Sequence, residues 1–480
     1  MSFSSQDIAR IVTKVVEQLE TSDNSTSSVV PHQPASFTGS VSVSSGARGS
    51  YPEIATCVAR SRSAYEAYRV FTLSQRERMI RRIRVLCLEN LEKIAKMAWE
   101  ETGLGRWQDK VEKNRLVIEK TPGTEDLQPT AYSGDYGLSV IEGGAYGVIG
   151  SITPTTNPTE TIINNSIGMI AAGNAVVFNP HPRAKSSCAF TVDLINRAIE
   201  ECGGPSDLVT IMTNPSQESG QELMIHPGIK ILVVTGGPGI VKAAFQAGKK
   251  LIAAGPGNPP CVVDESADLE QAAKDLITGS TLDNNILCIA EKETFVLESV
   301  ADEFIQALKR NGGYHVIGSN VGKLEKLILK DGKINSDLVG KDAGFILEQI
   351  GIQAPQNTRM AFLETTFEHF LVQKEQMMPV MPIVRCPDVS TAIDMAVQAE
   401  KGNFHTATMH SKNLDALHEM AVKSNVSIFV KNGPSCAGLG MYGEGFTTMT
   451  IAGPTGEGLT SARSFTRSRR CVLKGHFRIV

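Results

Sequence analysis

The sequence predicts a multi-domain α/β protein built on a largely parallel, doubly wound sheet. Three observations lead there. The chain has 480 residues, too many for one simple core. Short apolar runs alternate with helical periodicity from about residue 145 onward, and glycine-rich turns fall where an apolar run gives way to a helix.

Taken in order, the chain opens with SSQDIARIVTKVVEQLE, where Ile8, Ile11, Val12, Val15, Val16 and Leu19 share one helical face. Ser5 or Asp7 can cap that helix, and Arg10, Lys14, Glu17 and Gln18 fall on its other side. A Ser-, Thr-, Gly- and Pro-rich stretch follows to about residue 50, with too few apolar residues to fold. A short amphipathic helix (1–20) on a flexible linker (21–50) reads as a docking peptide; the plainer alternative is a helix packed on its own protein.

From Tyr51 the folded body begins. Residues 53–119 are expected to be mainly helical, with Gly103 as a stop. AYGVIGSIT and NAVVFNP read as strands flanking the helix TETIINNSIGMIAAG, and IKILVVTG leads into the helix GIVKAAFQAG. No repeat of solenoid length is present.

Composition excludes several classes. A net charge of −4 offers no general attraction for nucleic acid or anionic membranes. No apolar stretch approaches the roughly 18–20 residues that span a bilayer, and no secretory signal is expected. Nine scattered cysteines, without a C-x-x-C pair or a His cluster, read as reduced thiols in a cytoplasmic-type compartment, with no metal site. The basic C-terminal segment (Arg463, Arg467, Arg469, Arg470, Lys474, Arg478) is a poor case for nucleic-acid binding in an acidic chain.

Three motifs carry candidate chemistry. GGPGIVKAA puts Gly236, Gly237 and Gly239 at a strand-to-helix turn, where a phosphate can approach backbone N–H groups. Lys242 stands where the third glycine of a dinucleotide fingerprint would be, so a plain tight turn fits equally well. AAGPGNPP (253–260) is ambiguous in the same way. In DNNILCIAEKETFV, Cys288 is either a small buried thiol or a nucleophile that needs a lowered pKa or a base. In GVIGSITPTTNPTET, Asn157 ends a strand, where open α/β sheets bind ligands. Its amide can serve as an oxyanion donor or make its own Asx turn.

Taken with AAGNAVVFNPHP, KEQMMPVMP and GPTGEGLTSARSFTRSRRCVL, and in this order, these segments resemble the aldehyde dehydrogenase superfamily. More closely, they resemble its CoA-acylating branch, which oxidises acetaldehyde or propionaldehyde inside bacterial microcompartments. The likeness runs from residue 51 to the C-terminus. It implies an aldehyde dehydrogenase-like fold: a Rossmann-type NAD-binding domain (51–130 and 146–255), an α/β catalytic domain (256–455) and a small β oligomerisation flap (131–145 and 456–480). A dimer or tetramer is implied. The N-terminal helix resembles encapsulation peptides, which implies docking to shell proteins through residues 1–20 and a place in the microcompartment lumen.

The same resemblance implies that Cys288 is the nucleophile and that the Asn157 amide, with the Cys288 backbone N–H, forms the oxyanion hole. Gly236 and Gly237 would line the pyrophosphate turn. Glu375 would hold the nicotinamide ribose, with Met377 backing the ring. Thr153, Pro154, Asn179, Pro180, His181, Ile240 and Gly255 would border the cofactor. His405 falls in a loop characteristic of the branch, with a structural or a pocket role; Cys436 reads as a packed thiol. Two positions depart from the hydrolytic members. Ala253 replaces the glutamate that activates water, which favours acyl transfer to the thiol of CoA over release of a free acid. Asn179 replaces a lysine near the adenosine ribose, and no clear cationic pocket for a 2′-phosphate is visible, so NAD is expected rather than NADP. A hydrolytic enzyme and a non-catalytic cargo protein are the rival readings.

Overall fold

The computed structural model describes residues 47–478. The helix expected over 1–20 and the expected linker up to residue 46 lie outside the described residues. The last four linker residues are a correction, because they belong to the folded body. Arg48 pairs with Asp193 at 3.4 Å and Glu200 at 3.0 Å. Strand β1 (Ser50–Tyr51) lies parallel to β6 (Val209–Met212). Gly49 has φ +73°, and a Cβ there would come within 2.3 Å of the Val209 carbonyl oxygen. Ser and Gly look like linker in composition, but strand pairing uses backbone groups that composition does not report.

Four helices follow: α1 (Ile54–Tyr68), α2 (Leu73–Glu89), α3 (Leu91–Thr102) and α4 (Trp107–Lys120). Thr72 and Gln75 close a reciprocal capping box at the start of α2. Gly103, at φ 67°, ends α3 in the left-handed conformation, the stop expected from sequence.

Strands β4 (Val148–Ile152), β5 (Ala175–Asn179), β7 (Ile231–Thr235) and β8 (Lys250–Ala254) join β1 and β6 in one parallel sheet of order β1-β6-β5-β4-β7-β8. Helix α5 (Pro158–Ala171) links β4 to β5 and is buried along its whole length. Strand order reverses between β4 and β7. Open α/β sheets bind ligands at such a reversal, beyond the carboxyl ends of the strands. The two loops there carry Asn157 and the Gly236–Gly237 turn.

A second parallel sheet holds β9 (Pro260–Val263), β10 (Glu293–Leu297), β11 (Gly313–His315), β14 (Met360–Thr365), β15 (Val380–Cys386), β16 (Thr406–His410) and β17 (Ile428–Lys431). Its order is β11-β14-β15-β10-β9-β16-β17. Two antiparallel ribbons, β12–β13 (Leu329–Lys330, Lys333–Ile334) and β18–β19 (Ile451–Ala452, Gly458–Leu459), stand as separate two-stranded sheets. A third, antiparallel sheet of β2 (Thr130–Gly134), β3 (Gly137–Ala145) and β20 (Thr466–Lys474) brings the two remote flap segments together. Its surface leaves Tyr132, Val472 and Leu473 exposed. Among the described residues no helix is long and apolar enough to cross a membrane.

Crossing from β8 to β9, the chain runs through Gly255–Pro259, and the segment carrying Cys288 enters β10. Lys292 N–H donates to the Pro259 carbonyl at 2.9 Å and ties the two together. One buried acid near this junction makes stability depend on pH. Glu291 accepts from the Ser435 N–H at 2.8 Å and hydroxyl at 2.7 Å. Burial nevertheless pushes its carboxyl from 4.5 up to about 7. The folded chain therefore keeps a proton that the unfolded chain releases above pH 4.5. The stability from that proton is present at low pH and is lost, by roughly 3 kcal/mol, as pH rises through about 7. Between about pH 5 and about pH 8 the Tm should fall more steeply for the native chain than for Glu291→Gln. Equal slopes in thermal melts would contradict this.

Candidate active site

Cys288 lies on a loop that enters β10 from three consecutive left-handed residues, Asp283 (φ 50°), Asn284 (φ 55°) and Asn285 (φ 67°). Non-glycine residues pay for this conformation, Asp and Asn least. Each is locked by its side chain. Asp283 accepts from Lys110 Nζ at 2.8 Å, Lys113 Nζ at 2.6 Å and Arg106 N–H at 2.7 Å. Asn284 Nδ2 donates to the Gly340 carbonyl, and Asn285 Nδ2 to those of Ser280 and Glu291. From the far end, Lys292 Nζ donates to Asn285 O, Asn285 Oδ1 and Leu287 O at 2.7–3.1 Å.

The apolar run around Cys288 (Ile286, Leu287, Ile289, Ala290) is buried, while Cys288 itself is partly open. Its thiol is pushed up to about 12, first by burial and then by the Glu375 carboxylate; the cations of Lys292 and Lys113 pull the other way. The resting group is therefore a thiol, and its proton must leave as the reaction begins.

Asn157 follows β4 and caps α5 with its backbone: its carbonyl accepts from Thr161 N–H and hydroxyl, with Pro158 in the first turn. Its side chain makes no cap bond, which removes the turn-forming alternative. Instead Oδ1 accepts from Lys113 Nζ at 2.6 Å. The amide Nδ2 has only a 3.3 Å contact with Thr156 Oγ1. Lys113 thus touches both the asparagine and the loop that carries Cys288.

Gly257 explains one glycine of AAGPGNPP. A Cβ there would sit 2.4 Å from the Cys288 carbonyl oxygen and 3.2 Å from His405 Cγ. The strand-linking segment can pass between them only as glycine. His405 is buried; its Nδ1 meets Thr406 Oγ1 at 2.9 Å and its Nε2 has no partner. Burial pushes it down to about 4, so the imidazole is neutral at pH 7. One nitrogen is structural and the other is free. Glu375 lies near the same glycine, its carboxyl raised by burial against the pull of Lys292 and a Gly257 N–H. Met377, at φ 50°, accepts from Gly340 N–H at 3.0 Å. Ala253 is buried on β8, where its N–H meets Thr455 Oγ1, and it brings no carboxylate. Cys436 is fully buried beside Ser435, a packed thiol.

The remaining cofactor candidates lie along the carboxyl edge of the first sheet. Thr153 and Pro154 follow β4; Asn179 ends β5 and precedes Pro180 and His181; Gly236 and Gly237 follow β7. Gly237 caps the helix Pro238–Phe245 without any side-chain cap, so its first N–H groups are available. Nothing lies within 4 Å of a Cβ at Gly237 or Gly239, whereas one at Gly236 would meet Ile240. The Thr153 hydroxyl is buried without a partner. An open helix N-terminus, a spare hydroxyl and a carboxylate beside the thiol fit a dinucleotide. Asn179 Oδ1 accepts from the Ser219 hydroxyl at 2.7 Å, and a Cβ at Gly255 would lie 3.3 Å from Pro454 Cγ. Arg183, next to His181, gives Nη2 to the Thr102 carbonyl. Sequence reasoning missed the buried ions Lys110, Lys113, Glu160 and Lys292; the Lys-x-x-Lys spacing of the first two looks like any solvated helix face, and the other two carry no local signal.

The model of the aldehyde dehydrogenase family matches residues 22–320. The acetylating acetaldehyde dehydrogenase of Escherichia coli is 44% identical over 482 residues, covering 99% of each chain. The CoA-propanoylating propanal dehydrogenase of Citrobacter freundii is 44% identical over 432 residues, covering 90% of this chain and 94% of that one. Among solved structures, the propionaldehyde dehydrogenase of Rhodopseudomonas palustris, with bound CoA and an acylated cysteine, superposes with a TM-score of 0.89 at 48% identity, covering 90% and 99%. That of the Clostridium phytofermentans fucose utilisation microcompartment gives 0.89 at 45%, covering 90% and 100%. An engineered glycolyl-CoA reductase with bound NADP+ gives 0.89 at 47%, covering 90% and 99%. With more than half its length matched by the family model and relatives at 44% identity spanning nearly all of it, the chain belongs to the aldehyde dehydrogenase family.

Proposed function

We propose that the protein oxidises a short-chain aldehyde, propionaldehyde or acetaldehyde, to its acyl-CoA with reduction of NAD, through a thioester on Cys288. The observation that carries this reading is a partly open thiol with alanine, at Ala253, in the place of the water-activating carboxylate. The acetylating and CoA-propanoylating relatives support it over the hydrolytic and non-catalytic alternatives.

In the first half-reaction the Cys288 thiol releases its proton to solvent, and its sulfur then adds to the aldehyde carbon. The oxygen of the resulting thiohemiacetal carries the developing negative charge, and Asn157 Nδ2 and the Cys288 N–H donate to it. Collapse of that alkoxide expels the carbon's hydrogen as hydride and leaves the acyl thioester. NAD, when bound, supplies the hydride acceptor; Glu375 would hold its ribose, Met377 back its ring and the Gly236–Gly237 turn meet its pyrophosphate. In the second half-reaction the CoA sulfur attacks the thioester carbon, the same donors hold the second oxyanion, and Cys288 leaves as thiolate. The neutral, unpartnered Nε2 of His405, against the same glycine as the Cys288 carbonyl, supports its taking the proton from the CoA thiol. Asn179 in place of lysine, with Arg183 committed to Thr102, supports NAD over NADP.

We further propose docking of residues 1–20 to shell proteins inside a microcompartment, the origin of the Clostridium relative, and assembly as a dimer or tetramer through the flap sheet.

With propionaldehyde and NAD, steady NADH formation should require CoA, with at most a single-turnover burst without it; equal turnover without CoA would contradict acyl transfer. Cys288→Ala should abolish NADH formation, and Asn157→Ala should slow it roughly 100- to 1000-fold. Glu375→Gln removes a charge that raises the thiol's pKa. Iodoacetamide should therefore alkylate Cys288 faster in that variant near neutral pH while NADH formation falls. Slower alkylation would contradict the electrostatic account. Removing residues 1–20 should leave activity intact and abolish co-localisation with shell proteins.

A further inference from the structure

Lys113 has a place in this site that neither half of the reaction uses directly. It projects from α4 and is fully buried, and its Nζ has four oxygens around it. These are Asn157 Oδ1 at 2.6 Å, Asp283 Oδ2 at 2.6 Å, Glu160 Oε1 at 3.2 Å and the Thr156 carbonyl at 3.3 Å. An ammonium group donates and never accepts. Whichever amide atom of Asn157 faces Lys113 must therefore be the oxygen, and Nδ2 must point the other way. A protein that needs Nδ2 as an oxyanion donor gains from such a lock, because a freely flipping amide presents the wrong atom part of the time. The cation also draws electron density through Oδ1, which strengthens the N–H groups as donors.

Asp283 makes the arrangement more than a local clamp. Its carboxylate is shared by Lys113 and Lys110, and it starts the left-handed run that leads to Cys288. One nitrogen thus ties the oxyanion amide to the nucleophile's loop, across two sheets.

We propose that Lys113 is a positioning residue: it fixes the orientation of the Asn157 amide and its register with the Cys288 loop. This rests on the assignment of Asn157 as the oxyanion donor, and a double-mutant cycle separates the two claims. The rate of the NADH burst without CoA is measured for the native chain, Lys113→Met, Asn157→Ala and the double variant, with propionaldehyde and NAD saturating. Asn157→Ala should lose roughly 100-fold or more. Lys113→Met alone should lose on the order of 10- to 100-fold with little change in aldehyde KM. In the Asn157→Ala background Lys113→Met should cost several-fold less than in the native chain, since no amide remains to be oriented and only the hold on Asp283 is lost. An equal loss in both backgrounds would overturn the proposal and leave Lys113 as a structural ion. A near-native rate for Asn157→Ala would overturn the oxyanion assignment and the proposal with it. If Lys113→Met fails to fold, Lys113→Gln, neutral but still a donor, is read in the same cycle by the same criteria.

Discussion

The site depends on a buried carboxylate. Asp283 is fully enclosed, and burial alone would push its carboxyl up; Lys110 and Lys113 outweigh that and hold it below the usual range. Lys113 is likewise held above the ordinary lysine value, because Asp283 and Glu160 overcome the cost of its burial. Removing one member of such a group leaves an uncompensated charge, at a cost of about 3–5 kcal/mol. What the group secures is geometry. Three adjacent residues in left-handed backbone would relax if free, and the cysteine three residues later would move with them. The clamp comes from the helical part of the first domain, while the cysteine leads into the second sheet. Chemistry at their junction therefore requires both units to be folded and docked.

A second constraint sets the outcome of the reaction. The surroundings of Cys288 favour a protonated thiol at rest, which protects it from adventitious oxidation and alkylation. Once acylated, the sulfur carries no charge, and the burial that opposed the thiolate no longer matters. The fate of the thioester then depends on which nucleophile is activated. Ala253 activates none, and Glu375, buried near Lys292 and Gly257, is assigned in the proposed mechanism to the cofactor's ribose rather than to water. A thiol needs less help than water, and the neutral imidazole of His405 suits the proton of a thiol better than that of water.

The frame of this arrangement was legible in the sequence. Alternating apolar runs and helices located the strands Val148–Ile152, Ala175–Asn179 and Ile231–Thr235, and family motifs singled out Cys288 and Asn157. What escaped was whatever depends on burial. Lys110 and Lys113 occupy a helix whose composition resembles a solvated face, and nothing local tells that this face turns inward. Gly257 looked like any loop glycine, because its role is a close approach to residues 31 and 148 positions away. Residues 47–50 read as linker because their strand pairing uses main-chain groups and Arg48 reaches acids about 150 positions away. Local pattern reports periodicity; it does not report which distant segment closes over a side chain.

The central claim is that an acyl group on Cys288 waits for a thiol. The most direct measurement mixes the purified protein with propionaldehyde and NAD without CoA, quenches at intervals, and follows the Cys288 peptide by mass spectrometry. The account predicts a propionyl adduct on Cys288 that persists on standing and disappears promptly when CoA is added, with propionyl-CoA formed in equal amount. An adduct lost to water at the catalytic rate, or one found on a different cysteine, would contradict it.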